Sequence, residues 1–141
     1  MNMNDIRIEM VRSWNTEEIV ALYRTGGWWQ DTFDPLEIPA LIKGSFAFAV
    51  AADSKSGRAV GMGRALSDGI SDAYIQDIVV LPDYRGKHLG TAIASKLIGR
   101  CRDAGISWIA LIAEPGTEKV YVPLGFTPME GYIPLIYRGE S

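Results

Sequence analysis

The sequence predicts a mixed α/β domain in which an antiparallel group of strands leads into a β-α-β crossover. Three observations predict it. Apolar runs of strand length near residues 6–11, 46–52, 58–65 and 73–81 are separated by Asp, Ser and Gly turns. Residues 90–104 set Ala92, Ile93, Leu97 and Ile98 at helical spacing. A continuous apolar run at residues 108–113 follows, so the strands on either side of that helix should lie parallel with a right-handed connection.

Taken in order, Ile6, Ile8 and Met10 alternate with Arg7 and Glu9, as in a strand with one buried face. Asn15 with Glu18 three residues on is a capping-box pattern that opens a short helix, which Gly26-Gly27 would close. A second short helix is expected over residues 35–43, with Gly44 as its stop. The hairpin loop 53–57 joins two strands, and Ser67-Asp68-Gly69 turns the chain into the long run at 73–81. After the helix at 90–104, Trp108 begins a run suited to a sheet interior covered on both faces. A short helix at 117–124 ends at Gly125, and residues 132–137, with Tyr132 and Tyr137, read as a final strand.

A length of 141 residues suits a single domain spanning 1–141, and 22% charged residues with net charge −3 offer no basic stripe for nucleic acid. Cys101 is the only cysteine, so no internal disulfide forms and a reducing compartment is expected. A catalytic thiolate is the alternative for Cys101, with His88 as the only imidazole. The first residues lack a signal-peptide core and no run reaches membrane-spanning length, which makes the cytoplasm the expected location. Edge strands and aromatic residues are compatible with a homodimer. No residue cluster suggests a metal.

The chemistry concentrates between Asp77 and Ala92. A buried strand ends at Pro82, a loop carries Arg85, Gly86 and Lys87, and a helix begins at or near Gly90. Helix starts leave amides unpaired at the positive end of the dipole, and glycines let a phosphate approach them. A solvated turn that merely caps the helix is the competing reading.

Arg85-Gly86-Lys87-His88-Leu89-Gly90, preceded by Val80-Leu81-Pro82, resembles the acetyl-CoA motif of the GNAT superfamily of N-acetyltransferases. His88 departs from it, standing where the family usually has its first glycine. Downstream, Val120-Tyr121-Val122-Pro123-Leu124-Gly125-Phe126 resembles the family's last motif, at the family's separation from the first. The resemblance implies the GNAT fold, a mixed and mostly antiparallel sheet with a β-α-β unit that binds acetyl-CoA. It implies a bulge in the strand before the phosphate loop and a gap into which the pantetheine arm slides. Ile78, Val79 and Val80 would meet that arm, and Arg85, Gly86, Lys87, His88, Leu89, Gly90, Thr91 and Ala92 would hold the diphosphate. Tyr121 would protonate the leaving thiolate.

Asp77 is the expected base for the attacking amine, with a hydrogen-bonded strand residue as the bland alternative. Trp28 and Trp29 would wall the acceptor pocket, or pack one inward and one in a subunit contact. The expected activity is transfer of an acetyl group from acetyl-CoA to a primary amine of a small molecule. A non-catalytic acyl-CoA sensor and a peptide or protein N-acetyltransferase are the alternatives.

Overall fold

The computed structural model describes residues 5–139. One sheet carries β1 (Ile6–Met10), β2 (Ala47–Asp53), β3 (Ala59–Ser67), β4 (Asp72–Val80) and β5 (Trp108–Ala110), side by side in that order. Pairing is antiparallel from β1 to β4 and parallel between β4 and β5. Helices α1 (Thr16–Thr25) and α2 (Ile38–Gly44) pack on one face and α3 (Leu89–Asp103) on the other. A single turn of helix, α4 (Glu118–Tyr121), follows β5.

The period-two pattern of β2 sorts the core between the faces. Phe48, Val50 and Ala52 join Ile19, Leu22 and Ile42 beneath α1 and α2, whereas Ala47, Ala49 and Ala51 face Ile93, Leu97 and Cys101 of α3. Small residues under α3 let the helix come close. A Cβ on Gly61 would stand 3.0 Å from Ile93, and one on Gly63 would stand 3.0 Å from Ile93 and 3.1 Å from Leu97. Ile93 and Leu97 are fully buried there, each contributing about 1.5–3 kcal/mol of burial free energy. Cys101 is enclosed in the same layer, away from any cleft, and burial pushes its thiol up.

Half of the predicted capping box forms. Glu18 N donates to Asn15 Oδ1 at 3.0 Å, but the Glu18 carboxylate does not return to Asn15. Its Oε1 accepts from Trp14 Nε1 at 3.0 Å and from Ala59 N at 2.7 Å, fastening the start of α1 to β3.

Three expectations are corrected. The helix at 117–124 breaks into α4 and a 3-10 turn (Val122–Leu124), because Pro123 has no N–H to continue the helix. The apolar run at 108–113 pairs only over Trp108–Ala110 and sits at the sheet edge, with Trp108 42% exposed. Residues 132–137, with Tyr132 and Tyr137, are not a strand. A strand exists only where a neighbour takes up its N–H and C=O groups. Among the described residues, none from 133 to 139 takes part in a backbone hydrogen bond.

Candidate active site

The site starts from an irregularity in β4. Arg64 of β3 pairs with Gln76 and Met62 with Val79, so Gly63 alone stands opposite both Asp77 and Ile78. That is a β-bulge, and Asp77 adopts φ +61°, a left-handed conformation that Asp tolerates better than branched residues. The extra residue reverses the alternation. Ala73 and Ile75 face α3, but beyond the bulge Val79 faces α1 while Ile78 and Val80 face α3. Asp77 is thereby turned toward α1, where Tyr23 Oη donates to its Oδ2 at 2.8 Å and Arg64 Nε donates to the same oxygen at 2.7 Å. Burial, then the charge of Asp77, drives the Tyr23 phenol far above its ordinary value.

Pairing between β4 and β5 stops at Tyr74 and Ala110, just before the bulge, and a cleft opens where the strands part. A hollow of about 240 Å³ lies beside Asp77, and one of about 690 Å³ runs to the start of α3. Trp28, Ile78, Glu114, Thr117 and Tyr121 line both.

At the α3 end, a 3-10 turn (Pro82–Tyr84) leads to Gly86 at φ +78° and His88 at φ +62°, and the helix begins at Leu89. His88 therefore holds the left-handed conformation that the usual glycine would take without strain. Among the described residues, no amide from Gly86 to Thr91 donates a hydrogen bond. Six N–H groups at the positive end of a 15-residue helix remain free for an anion. Arg85 folds back, its Nε donating to Val80 O at 3.0 Å. Of the residues expected at the cofactor, Ile78, Val79, Val80, Arg85, Gly86, His88, Leu89, Gly90 and Thr91 line the larger hollow; Lys87 and Ala92 do not.

The opposite wall is set by the end of α1. Gly27 N donates to Arg24 O and Trp28 N to Tyr23 O, both at 3.0 Å, with Gly27 at φ +80°. This is a Schellman motif, completed by edge-on packing of Trp28 against Tyr23 with centroids 6.2 Å apart. The Trp28 ring lies so close over Gly26 that a Cβ there would stand 2.6 Å from it. Held in this way, Trp28 Nε1 donates to Glu114 Oε1 at 2.8 Å. Trp29 is elsewhere, packed edge-on against Phe33 at 5.5 Å.

Tyr121, half-buried, stacks edge-on with Phe126, and its phenol is pushed up by burial and then by the charge of Glu114. Thr91 Oγ1 donates to Val120 O at 2.7 Å, joining α3 to the turn that carries Tyr121. The sequence reading missed Glu114, Tyr23 and Arg64. Glu114 carried a usable signal, since it directly follows the apolar run of a parallel strand, the carboxyl end at which α/β sheets bind ligands.

Residues 8–126 match the model of the acetyltransferase (GNAT) family. The chain belongs to the GNAT family. It is 31% identical over 126 residues to the uncharacterized N-acetyltransferase ycf52 of Porphyra purpurea, covering 89% of this chain and 72% of that protein. It is 43% identical over 75 residues to the chloroplastic serotonin N-acetyltransferase 2 of Oryza sativa, covering 53% of this chain and 38% of the rice protein. A GNAT-family acetyltransferase from Streptococcus pneumoniae has the same fold, with a TM-score of 0.79 over 96% of this chain and 99% of that one at 21% identity. Among the described residues no helix is long and apolar enough to cross a membrane.

Proposed function

We propose that this GNAT protein transfers an acetyl group from acetyl-CoA directly to a primary amine of a small molecule. The observation that carries the reading is the continuity of the cleft, which links the unpaired amides of Gly86, His88, Leu89, Gly90 and Thr91 at the start of α3 to Tyr121, Glu114 and Trp28. Acetyl-CoA supplies the activated acyl group as a thioester. The amides from Gly86 to Thr91 take the diphosphate, with Arg85, Lys87 and Ala92 in the same loop and first helical turn. Ile78, Val79 and Val80 offer strand edge to the pantetheine arm where β4 has left β5.

Tyr121 stays protonated through neutral pH because burial and Glu114 both raise it, so it can hand a proton to a leaving thiolate. Two carboxylates reach the cleft for the amine. The Glu114 carboxylate accepts one hydrogen bond, from Trp28, and the residue stands on the exposed side. It would hold an ammonium group and receive its proton, with the Trp28 ring as an apolar and cation-binding wall. Asp77 has Oδ2 occupied by Tyr23 and Arg64, leaving Oδ1 as the alternative proton acceptor.

The 43% identity with the rice serotonin enzyme makes arylalkylamines the first acceptors to try. The test is thiol release from acetyl-CoA against arylalkylamines, polyamines, amino sugars and lysine peptides, with Tyr121→Phe as control. A small amine should turn over and Tyr121→Phe should lose about 100-fold in kcat. Turnover of lysine peptides alone would replace the small-molecule acceptor with a protein one, and full activity of Tyr121→Phe would remove the proton donor. Asp77→Asn is expected to lower kcat at neutral pH if Asp77 is the base; an unchanged kcat leaves that role to Glu114.

A further inference from the structure

Two glycines end α1, and the turn explains only one of them. Gly27, at φ +80°, holds the left-handed position that the Schellman motif needs. Gly26 stands at φ −74° and ψ −11°, ordinary helical backbone where alanine is favoured and glycine costs chain entropy. What excludes a side chain there is Trp28. A Cβ on Gly26 would stand 2.6, 2.7 and 2.8 Å from three atoms of the indole's six-membered ring. A rigid ring cannot yield by flexing, so it would have to leave its seat. In that seat Trp28 meets the Tyr23 ring edge-on at 6.2 Å and donates from Nε1 to Glu114 Oε1 at 2.8 Å. The bond spans the cleft from the end of α1 to the segment after β5. Trp28 and Glu114 both line the hollow beside Asp77 and the one that runs to α3, so the bond stands where the two meet.

We infer that Gly26 is a positioning residue for the acceptor: by carrying no side chain it seats the Trp28 indole across the cleft, which fixes Glu114 Oε1 and leaves Oε2 to receive the amine. The inference deepens the acetyl-transfer reading and rests on it. A carboxylate on an exposed segment samples several rotamers unless something holds one of its oxygens. The indole N–H does so as an uncharged donor, so Glu114 keeps its negative charge for an ammonium group. Its Oε2 accepts no hydrogen bond among the described residues. Trp29 offers no substitute, since it packs on Phe33 instead. Displacing the indole therefore weakens the hold on an amine although neither Glu114 nor Tyr121 is changed. Alanine at position 26 would favour the helix and spoil the site, a trade in which the glycine serves the ligand rather than the fold.

The test compares the native chain with Gly26→Ala, Trp28→Ala and the double variant. Without any ligand, the ¹H–¹⁵N spectrum should show the Trp28 indole signal, assigned by its loss in Trp28→Ala, moved upfield in Gly26→Ala. The indole signals of Trp14, Trp29 and Trp108 should stay in place. With tryptamine as the amine, Gly26→Ala should raise its KM about 10-fold, the loss of one charge-assisted hydrogen bond. Coenzyme A affinity by calorimetry should stay within a few-fold, and Tm should be equal or higher. Because Gly26 acts through the ring, Gly26→Ala should add nothing in the Trp28→Ala background. An unmoved indole signal, an unchanged KM, a full-sized effect of Gly26→Ala without the indole, or a variant that no longer folds would each overturn the inference. Should the indole signal move as expected while neither tryptamine nor any other amine releases thiol from acetyl-CoA, the acetyl-transfer reading fails. The acceptor role of Gly26 then falls with it, and only the seat of Trp28 stands.

Discussion

β2 and β4 lie two places apart in one sheet and obey opposite rules. In β2, six of seven residues are buried, and the alternation between faces holds from Ala47 to Ala52 even though the pairing with β3 shifts register between Ala51 and Ala52. In β4, the alternation breaks at Asp77, several residues remain exposed, and pairing with β5 ends just before the break. Regular strand geometry fills space, whereas irregular geometry makes it. The bulge removes β4 from β5 and leaves a cleft, and it turns a carboxylate toward α1 that a regular strand would have turned toward α3.

Substitutions on either side of this contrast should separate stability from activity. Phe48→Ala, in the regular strand, should lower unfolding free energy by about 3–5 kcal/mol in urea titration. Any acetyl transfer by the molecules still folded should keep its acetyl-CoA KM. Gly63→Ala touches both regions, since its methyl would strike Ile78 at the bulge as well as Ile93 and Leu97. Overpacking predicts a loss of about 1–3 kcal/mol together with a raised KM for acetyl-CoA, measured by denaturation and by initial rates. A stability loss with unchanged KM would show the bulge to be independent of its neighbour.

Glu114→Gln leaves the core alone. Its negative charge helps hold the Tyr121 phenol above the usual value, so removing it should let Tyr121 ionise at lower pH. The alkaline limb of the kcat profile should therefore move down in pH, and a limb that moves up or stays would remove the coupling. The smallest effect is expected from His88→Gly, which relieves a left-handed residue at φ +62°. Stability should rise by about 1 kcal/mol, read as a higher Tm, while coenzyme A affinity by calorimetry stays within a few-fold.

The same contrast sets how much was legible in the sequence. The strand at 46–52 and the start of α1 were readable because an apolar run and a cap are local, recorded in Phe48, Val50 and Asn15 themselves. The unpaired amides before α3 were readable because they need only glycine and a helix start. The partners of Glu114 and the Tyr23–Asp77–Arg64 cluster were not, because what they touch depends on where two distant strands part. Residues 132–137 were read as a strand from composition alone, but strand formation depends on a neighbour as much as on propensity. Trp108 and the residues after it looked interior for the same reason.

Thr91 Oγ1 reaches across from the first turn of α3 to Val120 O, one residue before Tyr121. The turn proposed to anchor the anionic end of the cosubstrate and the arm that carries the proposed acid are thereby mechanically joined. A nucleotide fragment with no acyl group should still slow hydrogen exchange around Tyr121 when it fills the far end of the cleft, so the empty enzyme would keep its proton donor loosely aimed until a cargo handle arrives.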